Sequence, residues 1–393
     1  MREGGRSVHF PAMNRLARAA NIEDLRRLAR ARLPRSVFDF FDGGAEDETT
    51  LRGNRAAFER VRLLPKVLVN VREVDTGVDL LGGRANLPMA IAPTGAIGAG
   101  RNNADLMLAR AARAAGIPYT LATPATNSIE EIADQAGGRL WFQLYLLKKP
   151  EMRMQLVRRA HAAGYEALLV TVDLAVAGKR ERDLRNDFAA PFRPTWRNSR
   201  DVLAKPAWLL DMARHGIPEM KNLEGLVRSS TRMTDVAASV GRELDAGFDW
   251  DQLKSLRDAW PGKLLLKGIV HPGDAERAAA AGCDGVVVSN HGGRQLDGAV
   301  ASADALPAVA RAAGSKLTVL VDGGVRRGVD LLKARALGAQ AVLTGRATLF
   351  GVMAGGEPGA KRAIDILGGE FARAMSLCGV ARAADIAADL VAP

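Results

Sequence analysis

Eight times between residues 88 and 346, a short apolar run rich in β-forming residues gives way to a helical stretch rich in Ala. The runs are PMAIAPT (88–94), PYTLAT (118–123), LWFQLYL (140–146), ALLVTVD (167–173), KLLLKGI (263–269), GVVVSN (285–290), LTVLVDGG (317–324) and AVLTGR (341–346). Segments such as ADLMLARAARAAG and GVDLLKARALG lie between them, and several close on Gly, the residue that most easily takes the left-handed turn ending a helix. Runs that are apolar at consecutive positions are buried on both faces, as in a parallel sheet. Eight such units predict an α/β fold, a (β/α)8 TIM barrel, with a doubly wound sheet as the alternative. A helical extension precedes the barrel, and a long insertion follows the fourth strand, where residues 174–262 exceed one helix and its loops.

One barrel accounts for the length, so residues 1–393 are expected to form a single domain with a flexible basic extension at 1–20. The net charge of +11 allows nucleic acid, an anionic membrane or an acidic small molecule as partner. Nucleic acid is set aside, because aromatic residues make up only 5% and no RNP-like or zinc-finger spacing occurs. Cys283 and Cys378 are far apart and offer neither a disulfide framework nor a metal cluster, which suits a reducing compartment. The basic N-terminal stretch lacks the apolar core of a signal peptide, and no apolar run of about 18 residues predicts a membrane-spanning helix. In residues 188–240, Pro, Trp and Arg interleave without a clean period. Two readings stand: a lid or oligomer contact, or a membrane-surface segment carrying Trp196, Trp208, Leu209 and Leu210.

Barrel enzymes keep their chemistry at the C-terminal tips of the strands. Here the tips carry Pro93-Thr94-Gly95, Ala122-Thr123, Gln143 and Tyr145, Thr171 and Asp173, Lys267, Asn290-His291, Asp322-Gly323-Gly324 and Gly345-Arg346. The loops after the last two strands, DGGVRRG and TGRAT, join glycine to arginine. That combination at that place suits a phosphate, with Arg326 and Arg346 as clamps. Gln143, Thr171 and Lys267 leave room for a flat heteroaromatic ring at the barrel mouth, and a lysine beside a reduced flavin would stabilise its negative charge. The competing account of Lys267 is a structural ion pair, for instance with Asp173. Histidine as a residue type titrates near neutrality, so His291 is a candidate general base with Asp173 as its orienting carboxylate. Arg180 and Arg294 beside it would make a carboxylate pocket.

The motifs LPRSVFDFFDGGAEDETTLRGN, FQLY, TVD, KG, SNHGGRQLD, DGGVRRG and GRAT resemble those of the FMN-dependent L-2-hydroxy acid dehydrogenase/oxidase family, over about residues 22–385. GGAEDE, PTG, ERDLRN and LLDMARHGIPEM are most similar to the branch holding the mandelate and lactate dehydrogenases. The resemblance implies FMN as cofactor and oxidation of an L-2-hydroxy acid to the 2-oxo acid. It makes His291 the base, paired with Asp173. Arg180 and Arg294 would bind the substrate carboxylate, and Tyr145 the hydroxyl or the reacting intermediate. Lys267 would face the flavin N1/O2 edge, with Gln143 and Thr171 bonded to the ring. Pro93, Thr94 and Gly95 would lie against its N5 side. Asp322 and Gly324 would hold the ribityl chain, and Arg326, Gly345 and Arg346 the phosphate. The resemblance further implies a quinone as electron acceptor, a homotetramer, and peripheral attachment through 188–240 to the inner, cytoplasmic face of the cell membrane. No metal is implied.

Three positions depart from the family pattern. Phe40 stands where a tyrosine usually contacts the substrate carboxylate, Ala122 replaces a serine, and Pro124 replaces a bulky aromatic. These changes favour a large substrate, with (S)-mandelate first, and leave L-lactate dehydrogenase or an oxygen-using oxidase as alternatives. A pyridine-nucleotide enzyme finds support only in GAIGAG (95–100), which lacks the dinucleotide spacing. A non-catalytic barrel scaffold would have no use for His291, Asp173, Lys267 and both arginines.

Overall fold

All eight apolar runs form strands in the computed structural model, which describes residues 12–186, 196–224, 241 and 243–393. The strands are β1 Met89–Ile91, β2 Tyr119–Ala122, β3 Leu140–Tyr145, β4 Ala167–Thr171, β5 Lys263–Ile269, β6 Gly285–Val288, β7 Thr318–Val321 and β8 Ala341–Thr344. All neighbouring pairs are parallel, and β8 closes onto β1 to complete the barrel. The TIM barrel is the fold, and the doubly wound alternative is excluded by that closure. The strands are fully buried along almost their whole length, as their unbroken apolar runs require.

Register brings the tips to one height. Ala122 lies opposite Gln143, and Tyr145, Thr171 and Lys267 are successive partners across β3, β4 and β5. The register of β5 against β6 shifts between Lys267 and Ile269. Gly268 sits at that irregularity with φ +117°, and a Cβ there would come within 2.6 Å of the Asp173 side chain. Glycine therefore lets β5 bend while Asp173 occupies the space beside it.

The N-terminal extension packs as helices Ala12–Ala17, Ile22–Arg32, Arg35–Asp42 and Thr49–Arg60. The extension expected to be flexible at 1–20 is described only from residue 12. Its first eleven residues lie outside the described residues, but from Ala12 the chain is helical, Ala19 is buried, and Arg362 donates to the Ala19 carbonyl at 2.7 Å. Both cysteines are free and buried.

The insertion after β4 is described over 196–224, where helices Trp196–Leu203 and Pro206–His215 precede a short turn at Lys221–Leu223. Trp208 corrects the membrane grouping. Its ring packs on the core and its indole N–H donates to the Ala99 carbonyl at 2.7 Å. Asp211 adds a bond to Arg32 at 3.2 Å, so this helix is docked on the N-terminal layer. Leu210 is exposed, together with Leu203 and Ile217. The side chain of Trp196 lies outside the described residues.

Candidate active site

The strand tips surround one open cavity. Sixteen of the seventeen candidate residues line it; Asp173 stands behind the wall. Met220, Gly241 and Leu244 bring the far end of the insertion onto the same cavity, as a lid would.

His291 follows β6 in a left-handed conformation, with φ 57°. Its Nδ1 lies 2.8 Å from Asp173 Oδ1. An ionised Asp173 accepts the Nδ1 proton and leaves Nε2 as the nitrogen available to the cavity. Burial alone would raise the Asp173 pKa, but the charges of His291 and Lys267 outweigh it and hold the carboxyl below its ordinary range. Asp173 Oδ2 is buried with no hydrogen-bond partner among the described residues.

Lys267 is buried and pairs with Asp322 Oδ2 at 3.0 Å. The anticipated alternative was a pair with Asp173; the structure gives Asp322 instead, because β7 brings that carboxylate directly to the lysine. Burial would depress the Lys267 pKa, and Asp322 with Asp173 overturns that and raises it, so the ammonium is charged at neutral pH. Lys267 also donates to Ser289 Oγ at 3.0 Å, and the same hydroxyl accepts the His291 backbone N–H at 3.0 Å. Ser289 thus ties lysine and histidine together, a role not read from sequence although it belongs to the SNHGGRQLDG stretch.

Gln143 donates to Thr171 Oγ1 at 2.8 Å, and its carbonyl oxygen accepts the Thr123 N–H at 3.2 Å. These bonds fix a polar shelf beside Tyr145, whose hydroxyl pKa burial raises. On the facing side, Phe40 lines the cavity between the two arginines. The Arg294 guanidinium carbon lies 5.2 Å and that of Arg180 5.9 Å from its ring centroid. Arg294 donates to the carbonyls of Phe40 at 2.7 Å and Gly43 at 3.0 Å. Burial, then the nearby Arg180 and Arg346, push its pKa well down, so an incoming anion relieves an unfavourable concentration of charge.

The anion loop follows β7. Asp330, in helix Gly328–Ala336, accepts the backbone N–H groups of Arg326 and Arg327, each at 2.9 Å. Arg326 forms no ion pair among the described residues, and burial pushes its pKa down to about 9. It remains cationic at neutral pH, and its guanidinium lines the cavity. Arg346 differs from the expected clamp. Three of its N–H groups go to the carbonyls of Phe41 (3.0 Å), Gly292 (3.0 Å) and Gly43 (2.7 Å), leaving two of five. It opens helix Arg346–Leu377, and with Gly345 and Thr94 it lines the cavity where the helix N-terminus is electropositive.

These features fit a phosphorylated, polyhydroxylated cofactor. Asp322 Oδ1 is buried without a hydrogen-bond partner among the described residues, a place a cofactor hydroxyl would fill, and the Arg326 guanidinium forms no ion pair among them. Pro93, Gly95 and Gly324 line the intervening surface.

Fold and site together define a TIM barrel with one cavity at its mouth that suits a phosphorylated cofactor beside a cationic pocket. The FMN-dependent dehydrogenase family matches residues 29–393, and the chain belongs to it. Its cofactor is FMN, and it is an FMN-dependent 2-hydroxy acid dehydrogenase. It is 45% identical to (S)-mandelate dehydrogenase of Pseudomonas putida, over 91% of this chain and 90% of that protein. It is 42% identical to L-lactate dehydrogenase of Caulobacter vibrioides, over 92% and 95% respectively. Among solved structures, one described as monotopic membrane protein (S)-mandelate dehydrogenase superposes with a TM-score of 0.92 at 43% identity, covering 95% of this chain and 99% of that one.

Proposed function

We propose that the protein oxidises a bulky L-2-hydroxy acid, of which (S)-mandelate is the type, to the 2-oxo acid and passes the electrons through FMN to a quinone. The observation that carries this reading is His291, tied at Nδ1 to Asp173 and set with Tyr145, Arg180 and Arg294 around one cavity. FMN, when bound, supplies the two-electron acceptor. Pro93, Thr94, Gly95, Gln143, Thr171 and Lys267 would hold its ring. Asp322 and Gly324 would hold its ribityl chain, and Arg326, Gly345 and Arg346 its phosphate. Arg180 and Arg294 fix the substrate carboxylate, and Tyr145 its hydroxyl. Oxidation to the 2-oxo acid removes two electrons and two hydrogens: His291 Nε2 takes one as a proton, Asp173 stabilises the imidazolium that results, and the other hydrogen would leave with the electron pair to FMN when it is bound. Lys267 keeps a fixed positive charge at the barrel mouth, where the shielded environment strengthens it.

Substrate size follows from Phe40. The ring has no group to donate to the carboxylate, which costs about 0.5–1.5 kcal/mol of net binding relative to a tyrosine hydroxyl. Burying a substrate phenyl ring contributes about 1.5–3 kcal/mol in return. Leu174, Met220 and Leu244 complete an apolar side of the cavity, and Pro124 leaves it open. The expected order of kcat/KM is therefore (S)-mandelate above L-lactate above glycolate. Phe40→Tyr is expected to narrow that order by improving the small acids most. A preference for glycolate over every bulky acid tested would refute the pocket assignment while sparing the flavin chemistry.

The net charge of +11 and the exposed Leu203, Leu210 and Ile217 support docking of the 188–240 insertion on an anionic membrane surface, the inner face of the cell membrane. No helix among the described residues is long and apolar enough to cross a membrane. An exposed apolar strip of Leu64, Val67, Leu68 and Val69, joined to the Leu377 end of its helix by the Lys66 to Cys378 bond, offers a contact surface for the homotetramer of single-domain chains that the family resemblance implies. Holoprotein is expected to sediment with phosphatidylglycerol-containing vesicles. Replacing Leu203, Leu210 and Ile217 together with Asp should weaken that binding at least about tenfold, since each buried leucine-sized side chain contributes about 1.5–3 kcal/mol, and leave flavin reduction unchanged. Intact protein that ignores such vesicles would reduce the insertion to a lid or subunit contact.

A further inference from the structure

We infer that Asn54, on helix Thr49–Arg60, is a positioning residue that holds the backbone of His291 and the glycine loop after β7 in one bracket. The inference rests on reading His291 as the base. Asn54 does not line the cavity, so it acts through its neighbours.

A histidine in the left-handed region persists only where its surroundings hold it there. The residue before it, Asn290, is buried, and so is Asn54. Their side-chain amides pair reciprocally: Asn54 Nδ2 donates to Asn290 Oδ1 at 2.8 Å, and Asn290 Nδ2 donates to Asn54 Oδ1 at 2.8 Å. The backbone fixes the orientation of both amides. Asn290 Oδ1 also accepts the Gly293 N–H at 3.2 Å, Asn54 Oδ1 accepts the Ser302 N–H at 3.2 Å, and Asn290 Nδ2 donates to the Val300 carbonyl at 2.9 Å. Turning either amide over would set N–H against N–H. Removing one partner strands buried polar atoms of the other on the chain that enters His291.

The same residue supports the anion loop. Gly324 has φ +90°, and a Cβ there would lie 2.2 Å from the Asn54 carbonyl oxygen; at Gly323 it would lie 3.1 Å from Asn54 Nδ2. The loop carrying Asp322 and Arg326 therefore rests directly on Asn54. The helix is itself anchored to the histidine loop. Asp297 accepts the N–H groups of Thr49 at 3.1 Å and Thr50 at 2.7 Å, and Gly298 donates to Thr50 Oγ1 at 2.8 Å. One residue outside the barrel thus meets both strand-tip loops, its side-chain amide holding the histidine loop and its backbone and amide lying under the glycine loop.

The test is anaerobic single-turnover reduction of the flavin by (S)-mandelate, measured per bound flavin so that a loss of folded protein does not register. Misplacing a reacting group by about 1 Å can cost roughly 10²-fold, so Asn54→Ala is expected to lower the limiting rate by about 10–100-fold while changing half-saturation little. Asn54→Ser, which keeps a hydroxyl, should fall between. Adding Asn54→Ala to Asn290→Ala should slow the reaction no further, because the amide pair is already broken. Phe58→Leu on the same helix, at a core position, is expected to lower stability and leave the rate per flavin unchanged. A normal rate in Asn54→Ala, or in Asn54→Ser if the alanine variant does not retain flavin, would overturn the inference, as would an equal slowing by Phe58→Leu. The base reading fails separately, if His291→Gln reduces its flavin at the normal rate.

Discussion

Replacing His291 with Gln is expected to give a yellow protein with FMN bound that its substrate barely reduces. The side chain stands at the cavity wall with Nδ1 held 2.8 Å from Asp173, while the residues assigned to phosphate and ribityl binding lie on the loops after β7 and β8. Cofactor affinity should therefore survive the substitution. Lys267, the other basic group beside Asp173, is held charged by Asp322 and Asp173 and so would not replace His291 as proton acceptor. Loss of a general base costs roughly 10²–10⁴-fold in rate. Stopped-flow reduction at saturating substrate is the measurement, and near-normal rates in this variant would remove His291 from the mechanism.

The second large effect concerns the two arginines. Arg180→Met and Arg294→Met are each expected to raise KM and lower kcat for the acid. A charge-assisted hydrogen bond contributes about 1.5–3 kcal/mol, which corresponds to roughly 10- to 100-fold in kcat/KM. Arg294 should show the larger loss, because it also donates to the carbonyls of Phe40 and Gly43 and so shapes the pocket that holds the Phe40 ring. A methyl ester of the substrate separates the two contributions. The carboxylate-specific part should vanish with the ester, and the part arising from the loosened turn should remain. Equal losses for acid and ester in Arg180→Met would show that this arginine does not read the carboxylate.

The barrel was legible because parallel strands buried on both faces have no polar positions to blur their boundaries. Periodicity located β3, from Leu140 to Tyr145, and β6, from Gly285 to Val288, to within a residue or two. The tips were legible for a related reason: a polar side chain directly after such a run must face the barrel mouth, and this placed Lys267, His291 and Asp322 on one cavity. Pairing between tips was legible only in part. The sequence pairs His291 with Asp173, as the structure does, but Asp173 and Asp322 both follow apolar runs, and only the three-dimensional stagger of the barrel assigns Asp322 to Lys267. The backbone carbonyls of Phe41, Gly43 and Gly292 that occupy part of Arg346 have no sequence signal, because they come from loops distant in the chain. Trp208 was grouped with surface aromatics because its partner, the Ala99 carbonyl, lies 109 residues away. Asn54 and Ser289 carry no periodic signal, and their parts follow only from which buried amide or hydroxyl meets which backbone.

The most direct test of the whole account is anaerobic mixing of the holoprotein with each enantiomer of mandelate, with L-lactate and with glycolate, while flavin absorbance is followed. The account predicts bleaching by (S)-mandelate that outpaces L-lactate and glycolate, no bleaching by (R)-mandelate, and one 2-oxo acid formed per flavin reduced. A flavin that stays oxidised with every 2-hydroxy acid, or one bleached instead by a reduced nicotinamide, would contradict it.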